Sequence, residues 1–231
     1  MPVQVVILAA GMGTRLGKPW PKPLTPLADG RSIMQQQIEN LKKIFKENLR
    51  LSIVVGFKME MIMEAHPDAT FIYNEVYDQT NTSKSLLKAL KASHESGVLW
   101  LNGDVVFDSR VLERISERIG NEKSFLCVNT SAVGEEEVKY TVNDKGFVKL
   151  LSKQVQNALG EAVGINFISN SHKASAIKYL EACGDNDYFE RGLELAIEKD
   201  GIEIEPVDIS DLFAVEVDFQ ADLDRANSQF N

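Results

Sequence analysis

The chain has 231 residues, of which 44% are apolar and 26% charged, with a formal net charge of −9. That composition excludes a disordered, collagen-like or low-complexity chain, and the length suits one large domain with ample material for a core. An acidic chain argues against bulk nucleic-acid binding, which needs a basic face, but leaves room for a local phosphate site. The acidity is uneven. Residues 1–28 carry three bases and no acid, whereas residues 181–231 carry three bases and 15 acids. Two cysteines without CxxC spacing, Cys127 and Cys183, give no disulfide framework or structural zinc site. The start has no basic segment before its short apolar run, and no run approaches a membrane span. No membrane partner is expected, and a cytoplasmic location is the default reading.

In chain order, Val3 to Leu8 is a β-rich run that leads into Ala9-Ala10-Gly11, the pattern of a strand buried on both faces of a parallel sheet. Ser32 to Asn48 has helical spacing through Ile33, Met34, Ile38, Leu41, Ile44 and Phe45, with Ser32 as N-cap and Gln37 as a polar exception. Strands follow at Leu51–Val55 and Thr70–Tyr73, a helix at Ser83–His94, a strand at Val98–Leu101 and a helix at Ser109–Arg118. This alternation predicts right-handed βαβ units. After about residue 123 the texture changes. Strands are predicted at Ser124–Asn129, Lys139–Val142, Phe147–Leu151 and Ala162–Ser169, with a hairpin turn at Asn143-Asp144-Lys145-Gly146. Helices at Ser171–Cys183 and Tyr188–Lys199, strands at Ile202–Val207 and Ala214–Val217, and a helix at Phe219–Asn227 complete the reading. We expect one α/β domain over residues 1–231, with a nucleotide-binding half (1–123) and an acceptor-binding half (124–231). Its sheet should be central, mixed and mostly parallel, flanked by helices.

The first strand runs straight into Gly11-Met12-Gly13-Thr14-Arg15-Leu16-Gly17. Glycines there let backbone N–H groups approach a phosphate. No GK[ST] closes the loop and the third glycine of the dinucleotide fingerprint is missing, which excludes both common phosphate-loop motifs. Arg15, Lys18 and Lys22 then fall in a stretch without acids, stiffened by Pro19, Pro21, Pro23 and Pro26. Fixed cations on a stiff loop suit a triphosphate; the alternative is a solvated basic loop.

Leu8–Gly17 (LAAGMGTRLG) followed by Pro21–Leu27 (PKPLTPL) resembles the signature of nucleotidyltransferases that activate phosphorylated sugars and small alcohols. The resemblance implies a glycosyltransferase-A-like, Rossmann-like α/β fold. It also implies a reaction of NTP with a phosphomonoester to give an NDP-linked product and pyrophosphate. By the same resemblance Arg15 contacts the leaving pyrophosphate and Lys22 the reacting phosphates, so both are the catalytic candidates. Leu8, Ala9, Ala10, Gly11, Gly13 and Thr14 would hold the nucleotide.

Asp104 closes a predicted parallel strand, where ligands of α/β sheets gather, and is a candidate Mg²⁺ ligand. Asp218, in Glu216-Val217-Asp218, is the second, and resembles the family's second metal carboxylate; its competing role is to cap the following helix. Glu216 is either support for the metal site or an edge charge. The polar run Asn74–Leu86 resembles the branch that makes CDP-linked small alcohols, including phosphocholine and inositol-phosphate cytidylyltransferases. Asn81, Ser83 and Ser85 are the base-pocket candidates, with capping of the next helix by Asn81 or Thr82 as the alternative. On the acceptor side, Lys153, Glu161 in Gly160-Glu161-Ala162-Val163-Gly164-Ile165, and Tyr188 with Glu190 resemble the family's acceptor elements. An aromatic beside a carboxylate suits either a quaternary ammonium or sugar hydroxyls. Trp20 is a lid aromatic or plain packing, His66, His94 and His172 read as surface residues, and Cys127 as core.

The expected chemistry is in-line displacement at the α-phosphorus, aided by Mg²⁺, Arg15, Lys22 and Lys153, with no general base. CTP is the favoured nucleotide and a small phosphorylated alcohol or phosphonate the acceptor. A sugar-1-phosphate enzyme using UTP, dTTP or GTP and a non-catalytic nucleotide-binding relative are the alternatives. The sequence leaves monomer and homodimer open.

Overall fold

In a computed structural model the described residues are 2–131, 133–134 and 137–230, with Thr14 described by its backbone alone. The chain forms β1 (Val3–Ala9), α1 (Ile33–Phe45), β2 (Leu49–Val55), α2 (Met59–Ala65), β3 (Thr70–Tyr73), α3 (Thr82–Ala92), β4 (Val98–Asn102) and β5 (Val105–Phe107). It continues with α4 (Arg110–Gly120), β6 (Phe125–Asn129), β7 (Lys139–Val142), β8 (Val148–Ser152), β9 (Gly160–Ile168) and α5 (Asn170–Ala182). The last elements are α6 (Phe189–Asp200), β10 (Glu205–Asp208), β11 (Ala214–Glu216) and α7 (Gln220–Asn227).

The central sheet has the order β10-β6-β9-β4-β1-β2-β3, with β7 branching from β9 and pairing with β8. β3, β2, β1 and β4 are mutually parallel, as the strand–helix alternation predicts. β9 runs antiparallel to both β4 and β6, and β10 is parallel to β6. Central strands β1 and β4 are buried along almost their whole length, which explains why they read as near-continuous apolar runs.

Two buried layers cover the sheet faces. On one side Met34, Leu41, Ile53, Leu101, Ile115 and Phe167 pack under α1 and α4; on the other Leu86, Trp100, Leu180, Phe189 and Leu193 pack under α3, α5 and α6. Ser32 caps α1, its Oγ accepting from the Gln35 N–H at 3.1 Å. Gln37 is buried for a reason the periodicity does not show. Its Nε2 donates to the carbonyls of Asn102 and Val105 at 2.9 and 2.8 Å, fixing the turn after β4. Cys127 lies in the core, as expected, and burial pushes its thiol up.

Four features depart from the sequence reading. Helix α2 and strand β5 were not predicted. β11 does not join the main sheet but pairs antiparallel with β5 in a separate two-stranded ribbon. Of the histidines, only His94 is exposed; His66 is half-buried, and His172 Nδ1 lies 2.9 Å from Ser124 Oγ. No helix among the described residues is long and apolar enough to cross a membrane.

Candidate active site

β1 and β4 are parallel and in register, with Leu8 opposite Asn102. The glycine loop and Asn102-Gly103-Asp104 therefore leave the sheet side by side at its carboxyl edge, where α/β sheets bind ligands. The Gly103 N–H donates to the Leu8 carbonyl at 2.9 Å. A Cβ on Gly103 would lie 2.7 Å from that carbonyl oxygen and 2.9 Å from Pro23 Cγ, so a larger residue would force the two loops apart. Gly13 has φ +58°, and a Cβ there would lie 2.9 Å from Lys22 Cβ. The glycine is thus required by conformation and by the close approach of Lys22.

Lys22 sits in a short 3₁₀ turn between Pro21 and Pro23, and its side chain is 9% exposed. The β5–β11 ribbon delivers the opposing acid. Glu216 pairs with Val105, and the Val217 N–H donates to the Asp104 carbonyl at 3.0 Å, so Asp218 emerges beside Asp104. The Lys22 ammonium bridges the two carboxylates, donating to Asp104 Oδ2 at 2.7 Å and to Asp218 Oδ1. Arg15 Nη1 lies 2.8 Å from Asp218 Oδ2, and its guanidinium lies 5.7 Å from the centroid of the exposed Phe219 ring. Burial works against the Lys22 charge, but Asp104 and Asp218 outweigh it and raise the ammonium's pKa.

The N-cap alternative for Asp218 does not hold in the structure. Asp222 Oδ2 accepts from the N–H groups of Asp218 and Phe219, leaving the Asp218 carboxylate on the site. The residues also fit a divalent cation. Asp104 Oδ1 is buried without a hydrogen-bond partner, and both carboxylates converge on one ammonium. Hard oxygen donors of this kind suit Mg²⁺. No group of three or more metal-ligating side chains occurs among the described residues, so phosphate oxygens and water would complete the shell.

These residues line a cleft of about 430 Å³ whose walls also include Leu8, Ala9, Gly11, Tyr77, Thr80, Asn81, Lys153, Tyr188 and Glu190. Arg15, Lys22, Asp104 and Asp218 are gathered at one point beyond the carboxyl ends of β1 and β4. Lys153 Nζ lies 5.1 Å from the centroid of the Tyr188 ring. Glu190 is 8% exposed, its Oε2 has no hydrogen-bond partner, and burial pushes its pKa up to about 7.

Ser83, Ser85, Glu161 and Ala10 do not line the cleft as anticipated, and Asn81 lines it with its side-chain oxygen otherwise engaged. Ser83 and Ser85 point into the interior, because they occupy the buried side of α3; Ser85 Oγ accepts from Asn74 Nδ2 at 3.1 Å. Asn81 lines the cleft, but its Oδ1 is committed to capping α3 through the Thr82 N–H at 2.8 Å. Glu161 turns away, its Oε2 accepting from the Gly134 N–H at 2.9 Å. Ala10 packs in the core with Leu8 and Leu86, and the Thr14 side chain lies outside the described part. Trp20 is not part of the cleft wall.

Sequence reasoning missed Glu137, which lines the cleft with no motif to mark it; burial and the nearby charges of Glu161 and Asp218 raise its pKa. Glu216 is no edge charge. Its Oε1 accepts from Asn102 Nδ2 at 3.1 Å, and burial with Asp104 and Glu137 nearby raises its pKa well above the carboxylate range.

Residues 5–176 match the family model for the MobA-like NTP transferase domain, and the chain belongs to this family. Among curated relatives, it is 37% identical over 125 residues to a CMP-5'-(3-aminopropyl)phosphonate synthase of Streptomyces rubellomurinus, covering 50% of this chain and 19% of that protein. It is 31% identical over 175 residues to the bifunctional protein GlmU of Methanococcus vannielii, covering 72% of this chain and 39% of the relative. The chain therefore matches well under half the length of these relatives. Its fold is shared with CTP:phosphocholine cytidylyltransferase from Streptococcus pneumoniae, with a TM-score of 0.78, 16% identity and full coverage of both chains. It is also shared with the inositol-1-phosphate CTP transferase from T. maritima, with a TM-score of 0.79 and 16% identity over 99% of this chain and 96% of the other.

Proposed function

We propose that the chain is a nucleotidyltransferase that couples CTP to a small phosphorylated alcohol or phosphonate, giving a CDP- or CMP-linked product and pyrophosphate. The observation that carries this reading is the bridge of Lys22 between Asp104 and Asp218 beside the glycine loop. It assembles fixed cations and a pair of convergent carboxylates at one point of an open cleft.

In the reaction an acceptor oxygen forms a bond to the α-phosphorus while the bond from that phosphorus to the bridging oxygen of pyrophosphate breaks. The acceptor is already anionic near neutral pH, so the obstacle is repulsion between two anions and not removal of a proton. Lys22 and Arg15 oppose that repulsion with fixed positive charge on the nucleotide side, and Lys153 does so on the acceptor side. A divalent cation held by Asp104 and Asp218 would add charge neutralisation and alignment of the phosphates. The backbone from Leu8 to Gly13 presents the cleft's phosphate-facing edge. CTP is favoured by the likeness of the Asn74–Leu86 run to cytidylyltransferases and by the CMP-phosphonate relative. The GlmU relative supports a second reading, transfer to a sugar phosphate from a different nucleotide.

Pyrophosphate release with each of the four NTPs against a panel of phosphorylated acceptors separates the readings. CTP-selective turnover with small alcohol phosphates or phosphonates is expected. Turnover confined to sugar-1-phosphates would select the second reading. Tight NTP binding without release for any acceptor would overturn both.

A further inference from the structure

Two segments that wall the cleft are bonded to each other at a place no motif marks. Residues 183–188 connect α5 to α6, and Asn186 and Tyr188 of this connection line the side assigned to the acceptor. Asn81 and Thr82, at the start of α3, line the same cleft at the end of the run assigned to the nucleotide. The Asn81 N–H donates to the Asp185 carbonyl at 2.8 Å, the Ser83 N–H to the Asp187 carbonyl at 3.3 Å, and Asn81 Nδ2 to the Asn186 carbonyl at 3.4 Å. The Phe189 N–H donates back to Thr82 Oγ1 at 3.1 Å. Lys84 reaches the other end of the connection, where Nζ donates to the carbonyls of Leu180 and Glu181 at 3.2 and 3.4 Å and to that of Cys183. A helix leaves its first N–H groups and its last carbonyls without partners of its own. Here the start of α3 and the end of α5 satisfy theirs across this contact. Among the described residues, every hydrogen bond of residues 184–188 stays within the connection or goes to the start of α3 or to α6, and none reaches the central sheet. The place of Asn186 and Tyr188 is therefore set through α3.

We infer that Lys84 is a positioning residue, with Thr82 as a second tie, that couples the two substrates: ordering α3 from the nucleotide side orders the connection 183–188 and tightens binding on the acceptor side. Lys84 is absent from the cleft wall, so it acts through the carbonyls it holds and not on a ligand. A ligand that steadies the first turn of α3 steadies what is bonded to that turn, and a second ligand then meets a wall that has already lost its freedom. The coupling is reciprocal, since each ligand changes the other's affinity by the same factor. Which ligand fills each side rests on the nucleotidyl-transfer reading; the hydrogen-bonded tie does not.

Amide hydrogen exchange tests the tie with no acceptor present. Mg²⁺ and a non-hydrolysable CTP analogue are expected to slow exchange in the glycine loop and also in residues 183–191 of the parent. In Lys84→Met the glycine loop should stay protected while the protection at 183–191 is lost, and Lys84→Arg, which keeps N–H donors, should restore it. In pyrophosphate release, Lys84→Met should raise the acceptor KM by about fivefold or more and leave the KM for CTP within about twofold of the parent's. If Lys84→Met does not fold, Thr82→Val carries the same expectations, with Thr82→Ser as the conservative variant. Protection confined to the glycine loop in the parent, or equal protection at 183–191 in folded Lys84→Met, would overturn the inference and leave nucleotidyl transfer standing. A lower urea midpoint with both KM values unchanged would reduce Lys84 to a cap on α5 and overturn it as well. No protection of the glycine loop by the analogue of any of the four NTPs would overturn the nucleotide reading, and the coupling with it.

Discussion

Replacing Lys22 with methionine tests the centre of the site in two independent ways. The change keeps the side chain's bulk and removes its charge, leaving Asp104 and Asp218 facing each other without the ammonium that bridges them. Breaking a fully buried ion pair by removing one partner costs about 3–5 kcal/mol, and an exposed pair is worth about 0–1. Lys22 is 9% exposed, but Asp104 and Asp218 keep 22% and 17% of their side-chain surface. The expected loss therefore lies between the two limits, about 2 kcal/mol. Because the pKa of Lys22 is raised from 10.5, its contribution is complete at neutral pH and is lost only as pH rises above that range. Urea denaturation near neutral pH measures the loss directly. A divalent cation binding between the two carboxylates should restore it, since a ligand of the native state alone stabilises by mass action. Millimolar Mg²⁺ should thus raise the urea midpoint of Lys22→Met more than that of the parent, whose ammonium competes with the cation for the two carboxylates. Loss of a cation aimed at developing charge should also lower kcat/KM by roughly 10²-fold or more. A variant as stable as the parent, with a urea midpoint that responds to Mg²⁺ no more than the parent's, would refute the convergent carboxylate site.

Asp104→Asn should remove most turnover, a loss on the order of 10²-fold or more, with modest change in stability; unchanged pyrophosphate release would place the metal elsewhere. Gly164→Ala should destabilise by about 2–4 kcal/mol in urea, combining positive φ with overpacking: φ is +53°, and a Cβ would lie 2.5 Å from Glu216 Oε1 and 2.8 Å from Asn102 Nδ2. Phe219→Leu should lower kcat about 2- to 5-fold by loosening Arg15, for a cation–π contact of about 0.5–1 kcal/mol, and Phe219→Trp should restore it. Glu190 is an acid whose folded pKa is raised to about 7, so the folded protein holds its proton between the ordinary value and 7 and stability falls as pH rises through that window. Glu190→Gln should therefore gain on the order of 2 kcal/mol near pH 8 and little near pH 4, read from urea midpoints at the two values.

The parts of the fold with strong local patterning were legible before the structure. β1, β4 and α1 announce themselves because central parallel strands are apolar throughout and Ser32 is a capping residue in front of a periodic run. β5 and β11 were not recognisable as a pair, since each has three residues and their register joins positions more than a hundred residues apart. Helix α2, seven residues long, has a single buried position, Ile62, and so leaves almost no periodic signal. At the site, Arg15 and Lys22 were marked by the resemblance of the glycine loop and the PKPL run to a known signature, and Asp104 and Asp218 by their places just after predicted strands. Ser83 and Ser85 were misplaced because their facing depends on which side of α3 meets the core, and a run of polar residues does not reveal that. Glu137 had no signal at all, because its importance comes only from what the fold places beside it.

The antiparallel placement of β9 has a mechanical meaning. It comes from the later half of the chain, yet its residues 165–168 are hydrogen-bonded into β4 of the earlier half, and β4 is bonded in turn to β1. A hinge between the two halves would have to break that ladder, so the walls of the cleft cannot swing like jaws. Any closing on substrate falls to side chains and to the loops that leave the sheet edge, with Arg15 and Met12 on the glycine loop exposed at the rim. Such a cleft is expected to sort its ligands by charge and fit at a nearly fixed width, and hydrogen exchange should show protection changes on nucleotide binding in the glycine loop while β4 and β9 stay constant.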